Sequence, residues 1–169
     1  MGSGRARLAF QVGLAAGLIV LGAALLAFSG LPESDDEQLF AAQAQNVAVL
    51  GNFNALQLFG NERLRGTAPG SEPLHPLVGS IFYCLAGLFK AGSLHGVLLA
   101  NVFATTLTSA LLAWIGVRRG FSNPAALAGA LLFGLGSFAL PYTGTYYREP
   151  LAGLLLAGAL AAIEFAAGA

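Results

Sequence analysis

Residues 8–28 read LAFQVGLAAGLIVLGAALLAF, a run without a single charged side chain. A bilayer core of about 30 Å needs roughly 20 apolar residues in helical form, so this stretch has the length of a membrane helix. A cleaved secretory signal has an apolar region of only about 7–15 residues, and the longer run here predicts a retained signal anchor. Arg5 and Arg7 precede it, which by the positive-inside rule puts the N-terminus in the cytoplasm.

The rest of the chain repeats this character. Charge-free runs recur at 96–117, 125–141 and 151–163, with a shorter one at 77–89 that ends at Lys90. Of 169 residues, 56% are hydrophobic and 9% charged, against roughly 25% charged in a soluble domain. Disorder is excluded, because it needs low hydrophobicity and high net charge. A soluble globule is excluded too, since so few charges do not cover its surface. Eight basic and eight acidic residues balance, so nothing points to nucleic acid. The lone Cys84 rules out an internal disulfide framework or a cysteine zinc site and reads as packing. Twenty-three glycines suit helices that approach closely in lipid.

The expectation is an all-α, polytopic transmembrane bundle of about 4–5 membrane helices, one domain over 1–169, in the cell membrane. The first membrane helix is 8–28, an extracytoplasmic loop covers 29–75, and further membrane helices fill 76–169. The run at 77–89 either spans or dips into the bilayer. Dipping leaves Arg118 and Arg119 in the cytoplasm, as the charge rule prefers, and brings 142–150 to the same outer face as the loop. That arrangement is the one expected here. Glu164, inside the last apolar run, calls for snorkelling or for a partner helix that this chain lacks.

Half of all the charged residues lie in the first loop: Glu33, Asp35, Asp36, Glu37, Glu62, Arg63, Arg65 and Glu72. Ser34 and the acids have the composition of a helix N-terminus, and Gly51 is a natural stop. Between them Leu39, Phe40, Gln43, Val47 and Leu50 follow helical spacing. This predicts an interfacial amphipathic helix over 37–50.

Three features carry chemistry. The carboxylates at 33–37 are suited to general-base work or cation binding, or to decorating a solvated helix start. Tyr146-Tyr147-Arg148-Glu149-Pro150 places ionisable groups at a membrane boundary, where they are costly and often functional; the plainer reading is end-caps around a Pro-initiated helix. Ser71-Glu72-Pro73-Leu74-His75-Pro76 forces an extended entry into an apolar segment, with His75 a phosphate or metal contact or a structural residue. The chain contains no Walker motif, no H-E-x-x-H and no N-x-Ser/Thr sequon.

The order of these features resembles the N-terminal part of the C-type glycosyltransferases of GT-C fold. Within that group it looks like the bacterial relatives of the dolichyl-phosphate-mannose protein mannosyltransferases and of the aminoarabinose transferases, resembling glycosyltransferase family 39. The resemblance rests on the anchor followed by Ser34-Asp35-Asp36-Glu37-Gln38-Leu39-Phe40, on His75-Pro76-Leu77 and on Arg118-Arg119-Gly120. Gly136-Ser137-Phe138-Ala139-Leu140-Pro141-Tyr142 and Thr145-Tyr146-Tyr147-Arg148-Glu149-Pro150-Leu151 complete it. It covers nearly the whole chain from about residue 8.

The resemblance implies transfer of a sugar from a polyprenyl-phosphate donor to an acceptor at the extracytoplasmic face, with inversion. It makes Asp36 the base or metal contact, with Glu37 completing the acidic pair and Glu149 as the second catalytic carboxylate. A divalent cation held by Asp36 and Glu149 is the one cofactor implied. His75 takes the place of a family Lys at the lipid phosphate, with Arg148, Arg63 and Arg65 as alternative phosphate partners. The expected partners are the bilayer, a polyprenyl-phosphate-linked sugar and an acceptor that the residues do not define. The family fold has about twice as many membrane helices, so a fragment truncated at its C-terminus is expected. The competing expectation is a small non-enzymatic multi-pass protein, a transporter subunit or scaffold.

Overall fold

The apolar runs become helices in the structure, a computed structural model that describes residues 3–32, 34–51, 73–89 and 93–167. In chain order these are α1 (Ser3–Ala27), α2 (Asp35–Leu50), α3 (Leu74–Leu88), α4 (Ser93–Arg119), α5 (Asn123–Gly136), the short α6 (Ala139–Tyr142) and α7 (Glu149–Ala167). The described residues contain no strand.

Three helices, α1, α4 and α7, are long and apolar enough to cross a bilayer. Four to five membrane helices were expected, and among the described residues the two remaining apolar helices are shorter. At 1.5 Å per residue α3 and α5 are only about 22 and 21 Å long, well under the roughly 30 Å of a hydrocarbon core. The expected continuous helix over 125–141 is also broken. Ser137 adopts an extended backbone (φ −118°, ψ −175°), and its hydroxyl donates back to the Phe133 carbonyl and accepts from the Ala139 N–H at 3.1 Å. Those bonds satisfy groups that the interrupted ladder would leave bare.

Residues group into two units, one formed by Met1–Phe28, Asn101–Thr143 and Glu149–Ala169, the other by Ser29–Ala100 and Gly144–Arg148. Helix α4 contributes to both. In the first unit the interior is made of small residues. Ala9 packs with Val117 and Ala126, and Ala16 with Ala113 and Ala130. A Cβ on Gly13 would lie 2.9 Å from the Ala110 carbonyl oxygen, and one on Gly17 would lie 3.2 Å from the Ala110 Cβ. The large apolar side chains point the other way, with Phe10, Leu14, Leu18 and Leu26 of α1 exposed. Small residues inside and large ones outside is the arrangement suited to lipid, where burial of apolar area drives nothing and close backbone approach contributes dispersion and weak hydrogen bonds.

Charges gather at one end of this unit. Arg5 donates to the Val117 carbonyl at 3.2 Å near the C-terminus of α4, a region of partial negative charge. Arg119 forms an ion pair with Glu164, and Arg118 donates to the Glu164 carbonyl at 3.0 Å. Glu164 was expected either to snorkel or to pair with a helix from elsewhere; of the second alternative the structure corrects the source, since its partner is on α4 of the same chain.

In the second unit α2 packs on α3. Helix α2 begins two residues before the sequence reading and ends where expected, with Gly51 at φ 66° as its left-handed cap. Its buried face differs from the expected apolar stripe. Glu37, Ala41, Ala42, Gln43, Ala44 and Asn46 are buried, whereas Leu50 is exposed. The His95 imidazole Nδ1 contacts the Gly30 carbonyl oxygen, and a Cβ on Gly96 would press on Ala86 at 2.2 Å.

Gly134 gives a direct test of the small-residue interior. A Cβ there would lie 2.5 Å from Val20 and 2.6 Å from the Ser109 hydroxyl. Gly134→Ala is expected to cost about 1–3 kcal/mol by overpacking, read as a lower thermal unfolding midpoint in detergent. Gly22→Ala, where the added Cβ meets nothing within 4 Å, is expected to leave the midpoint unchanged or raise it.

Candidate functional site

The acidic start of α2 is held by a reciprocal cap. Ser34 has extended backbone (φ −138°, ψ 161°), so its hydroxyl turns in to accept from the Glu37 N–H at 3.3 Å. The Glu37 carboxylate returns one oxygen, Oε2, to the Ser34 N–H at 3.0 Å. This capping box satisfies two donors that a helix N-terminus leaves without partners. Glu37 then does more. Its second oxygen, Oε1, accepts from the Tyr146 N–H at 2.9 Å, and the hydroxyls of Ser34 and Tyr147 are 2.9 Å apart. The Gly144–Arg148 loop is thereby hydrogen-bonded to the first turn of α2.

Tyr146 is the anchor of that loop and is fully buried. Its hydroxyl donates to the His75 carbonyl at 2.8 Å. Its ring stacks on the His75 imidazole, with centroids 4.0 Å apart and planes 25° from parallel. Phe40 of α2 meets the other partner of this stack edge-on, 5.7 Å from the imidazole centroid. The phenol fits only because residue 79 is glycine: a Cβ there would lie 1.9 Å from the Tyr146 hydroxyl. Burial pushes the Tyr146 phenol up, so it remains a donor.

His75 lies at the start of α3, outside the three long spans, and is 4% exposed. Burial lowers its pKa to about 4, and the positive charge of Arg148 acts in the same direction. Neither ring nitrogen has a hydrogen-bond partner, and the same is true of Gln43 Nε2 on the facing helix. A neutral, enclosed imidazole brings no positive charge to a phosphate, so this placement favours Arg148 over His75 for that contact.

The other candidates are placed as follows. Asp36 is exposed in the first turn of α2, between the two residues that bind the loop, and Arg148 is exposed beside Tyr147. Glu37 is fully buried, with both carboxylate oxygens on backbone N–H groups. Arg63 and Arg65 lie outside the described residues. Glu149 is exposed at the first residue of α7, in the other unit. It lines a cavity of about 370 Å³ with Thr105 and Thr108 of α4, Ser137, Phe138 and Tyr142. Phe133, Ala139, Pro150 and Gly153 complete a mostly apolar lining in which Glu149 is the one carboxylate, and the Thr108 and Ser137 hydroxyls are already committed to the Ala104 and Phe133 carbonyls. Among the described residues, no group of three or more His, Cys, Asp or Glu side chains converges as a metal-binding cluster.

Two parts of this picture lay outside the sequence reading. Nothing local in the sequence distinguishes the buried Tyr146 from Tyr147. Thr105 and Thr108 did carry a signal, since Asn101, Thr105 and Thr108 recur at i, i+4 and i+7 within an apolar span and are buried together on α4.

No protein-family model, curated protein or solved structure matches the chain.

The buried imidazole predicts a pH dependence. His75 has a pKa near 6.5 when unfolded and about 4 when packed, so between those values the unfolded chain takes up a proton that the folded one does not. Its contribution to stability is complete above pH 6.5, declines as pH falls towards about 4 and is constant below, a total of roughly 3 kcal/mol. Thermal unfolding between pH 7 and 4 is expected to show this slope in the wild type and a flatter one in His75→Gln. Identical slopes would assign the effect to carboxylates instead.

Proposed function

We propose that this chain acts as a membrane glycosyltransferase that takes a sugar from a polyprenyl-phosphate donor at the extracytoplasmic face. The observation that carries the reading is the docking of the Gly144–Arg148 loop onto the first turn of α2 through Glu37–Tyr146 and Ser34–Tyr147. It brings an exposed carboxylate, Asp36, and an exposed guanidinium, Arg148, to one edge of the same unit, with Glu149 next in the chain.

In this mechanism Asp36 takes the proton of the acceptor hydroxyl. The oxygen attacks the anomeric carbon, the bond to the donor phosphate breaks with its electron pair, and configuration inverts. Arg148 stabilises the departing polyprenyl phosphate by a charge-assisted fork of N–H groups. Glu37 is a positioning residue, since its carboxylate orients the loop and is not open to substrate. A divalent cation on Asp36 or Glu149 would assist the same departure.

The orientation proposed with this function puts α2 outside. Arg5, Arg118 and Arg119 meet at one end of the first unit, and the positive-inside rule makes that end cytoplasmic. Helix α1 then runs outward, α4 inward, α5 and α6 together outward, and α7 inward. Helix α3 dips without crossing. Its start is tied through Tyr146 to Glu37, and the first turn of α4 is tied to Gly30, both on the segment that follows α1. Cysteines introduced singly at Asp35 and Gly144 in a Cys84→Ser background are expected to react with an impermeant maleimide in intact cells. One at Gly120 is expected to react only after permeabilisation, and the reverse pattern would reject the orientation.

A scaffold role is the second reading, favoured by the capping box, which gives the acidic run a structural use in the case of Glu37. Activity separates the two. Asp36→Asn is expected to abolish transfer from a polyprenyl-phosphate sugar while leaving thermal stability intact, and Arg148→Gln to lower kcat more than it raises KM for the donor. Undiminished transfer by the correctly folded Asp36→Asn protein would remove Asp36 as the base.

A further inference from the structure

The first unit carries a second concavity that the proposed reaction does not use. Between α1, α4 and α7 lies a groove of about 600 Å³ whose lining residues, among them Phe10, Leu14, Leu107, Trp114, Leu154 and Phe165, are all apolar. Helix α7 is almost unpacked, with 6% of its best 18-residue window buried, so the groove lies open along the side of the helices. One end is bounded by Phe10, Trp114 and Phe165, and the arginines stand one turn beyond that end. Arg7 precedes Phe10 by three residues and Arg118 follows Trp114 by four, spacings that put each pair on one helix face. Arg118 also lies over the Trp114 ring, 5.1 Å from its centroid, and Arg119 pairs with Glu164 beside Phe165.

We propose that this groove binds an anionic glycerophospholipid of the cytoplasmic leaflet, with acyl chain along the apolar lining and phosphate against the arginines. Charge complementarity selects that occupant. Arg5, Arg7, Arg118 and Arg119 face a single carboxylate, Glu164, so the end of the groove carries a net positive charge. A guanidinium has five N–H donors. The bonds from Arg5 to the Val117 carbonyl and from Arg118 to the Glu164 carbonyl occupy one each, which leaves donors for phosphate oxygens. A second copy docked by the same face would bring its own arginines against these, with no acidic surface to meet them. From Leu107 to Trp114 the apolar wall runs about 10 Å along α4, the depth of the first half of an acyl chain below its ester. Trp114 at the rim occupies the level where indoles collect in a bilayer. Basic pockets of this kind between membrane helices hold anionic headgroups by electrostatics that a zwitterionic headgroup does not return.

The test is native mass spectrometry of the purified full chain titrated with palmitoyl-oleoyl phosphatidylglycerol and, separately, with the matching phosphatidylcholine. Phosphatidylglycerol is expected to bind at least tenfold more tightly. Arg7→Gln and Arg118→Gln are each expected to weaken it about fivefold, the fold-change of ~1 kcal/mol per basic residue, without changing phosphatidylcholine binding. Arg118 also braces the helix ends, so Ala162→Trp provides an independent variant. It fills the groove from its exposed wall, leaves every charge in place, and is expected to lower retention of both lipids. Equal affinity for the two lipids, unchanged binding in all three variants, or self-association of the chain through this face with no lipid retained would each overturn the proposal.

Discussion

The carboxylate of Glu37 joins the backbone N–H groups of Ser34 and Tyr146, which lie far apart in the chain. One oxygen starts α2, and the other receives the loop that leads into α7. Buried and fully engaged, this group is worth more as a tie than as a reagent, because removing it would strand two enclosed donors at once. The aromatic stack of Tyr146, His75 and Phe40 depends on the same tie. The phenol reaches the His75 carbonyl only while the loop is docked, and the stack in turn keeps the imidazole dry and neutral. A proton on His75 would charge a buried group to which Arg148 already contributes positive potential.

The first unit obeys a different constraint. With little polar surface and large apolar side chains turned outward, it gains stability from the close approach of α1, α4 and α5 across Ala and Gly. Its ionisable groups are confined to helix ends, where Arg5, Arg118, Arg119 and Glu164 satisfy one another or bare helix carbonyls. Concentrating charge at one end keeps it out of the apolar length of the helices and is the basis of the proposed orientation. The same concentration creates the basic rim beside the apolar groove, so orientation and the proposed lipid site have one origin.

Much of the secondary structure was legible because its determinants are local. Hydropathy runs located α1, α4 and α7, and Ser34 with the acidic run at one end and Gly51 at the other delimited α2 to within two residues. The break at Ser137 was not legible, since it requires a hydroxyl to take over the bonds of an interrupted helix, and Gly-rich apolar sequence reads as continuous by hydropathy alone. The candidate site was legible in part. Arg148 and Glu149 were singled out by their position at a membrane boundary and Asp36 by its acidic cluster and the family resemblance, and all three are exposed. Their neighbour Glu37 looks the same in sequence yet is buried, because only the partner brought by a distant loop distinguishes it. The Thr105 and Thr108 wall of the Glu149 cavity could have been found from its i, i+3 spacing.

Composition alone determined that this chain is a set of apolar helices with its charge in a few short segments, because too few polar side chains exist to cover a water-soluble surface. Which of those charges act together was decided by tertiary structure. Glu164 meets Arg119, Glu37 meets Tyr146, and His75 loses its proton through contacts between residues 45 to 109 positions apart. Hydrogen bonds and ion pairs act over a few ångströms of space, and spacing along the chain does not measure that distance.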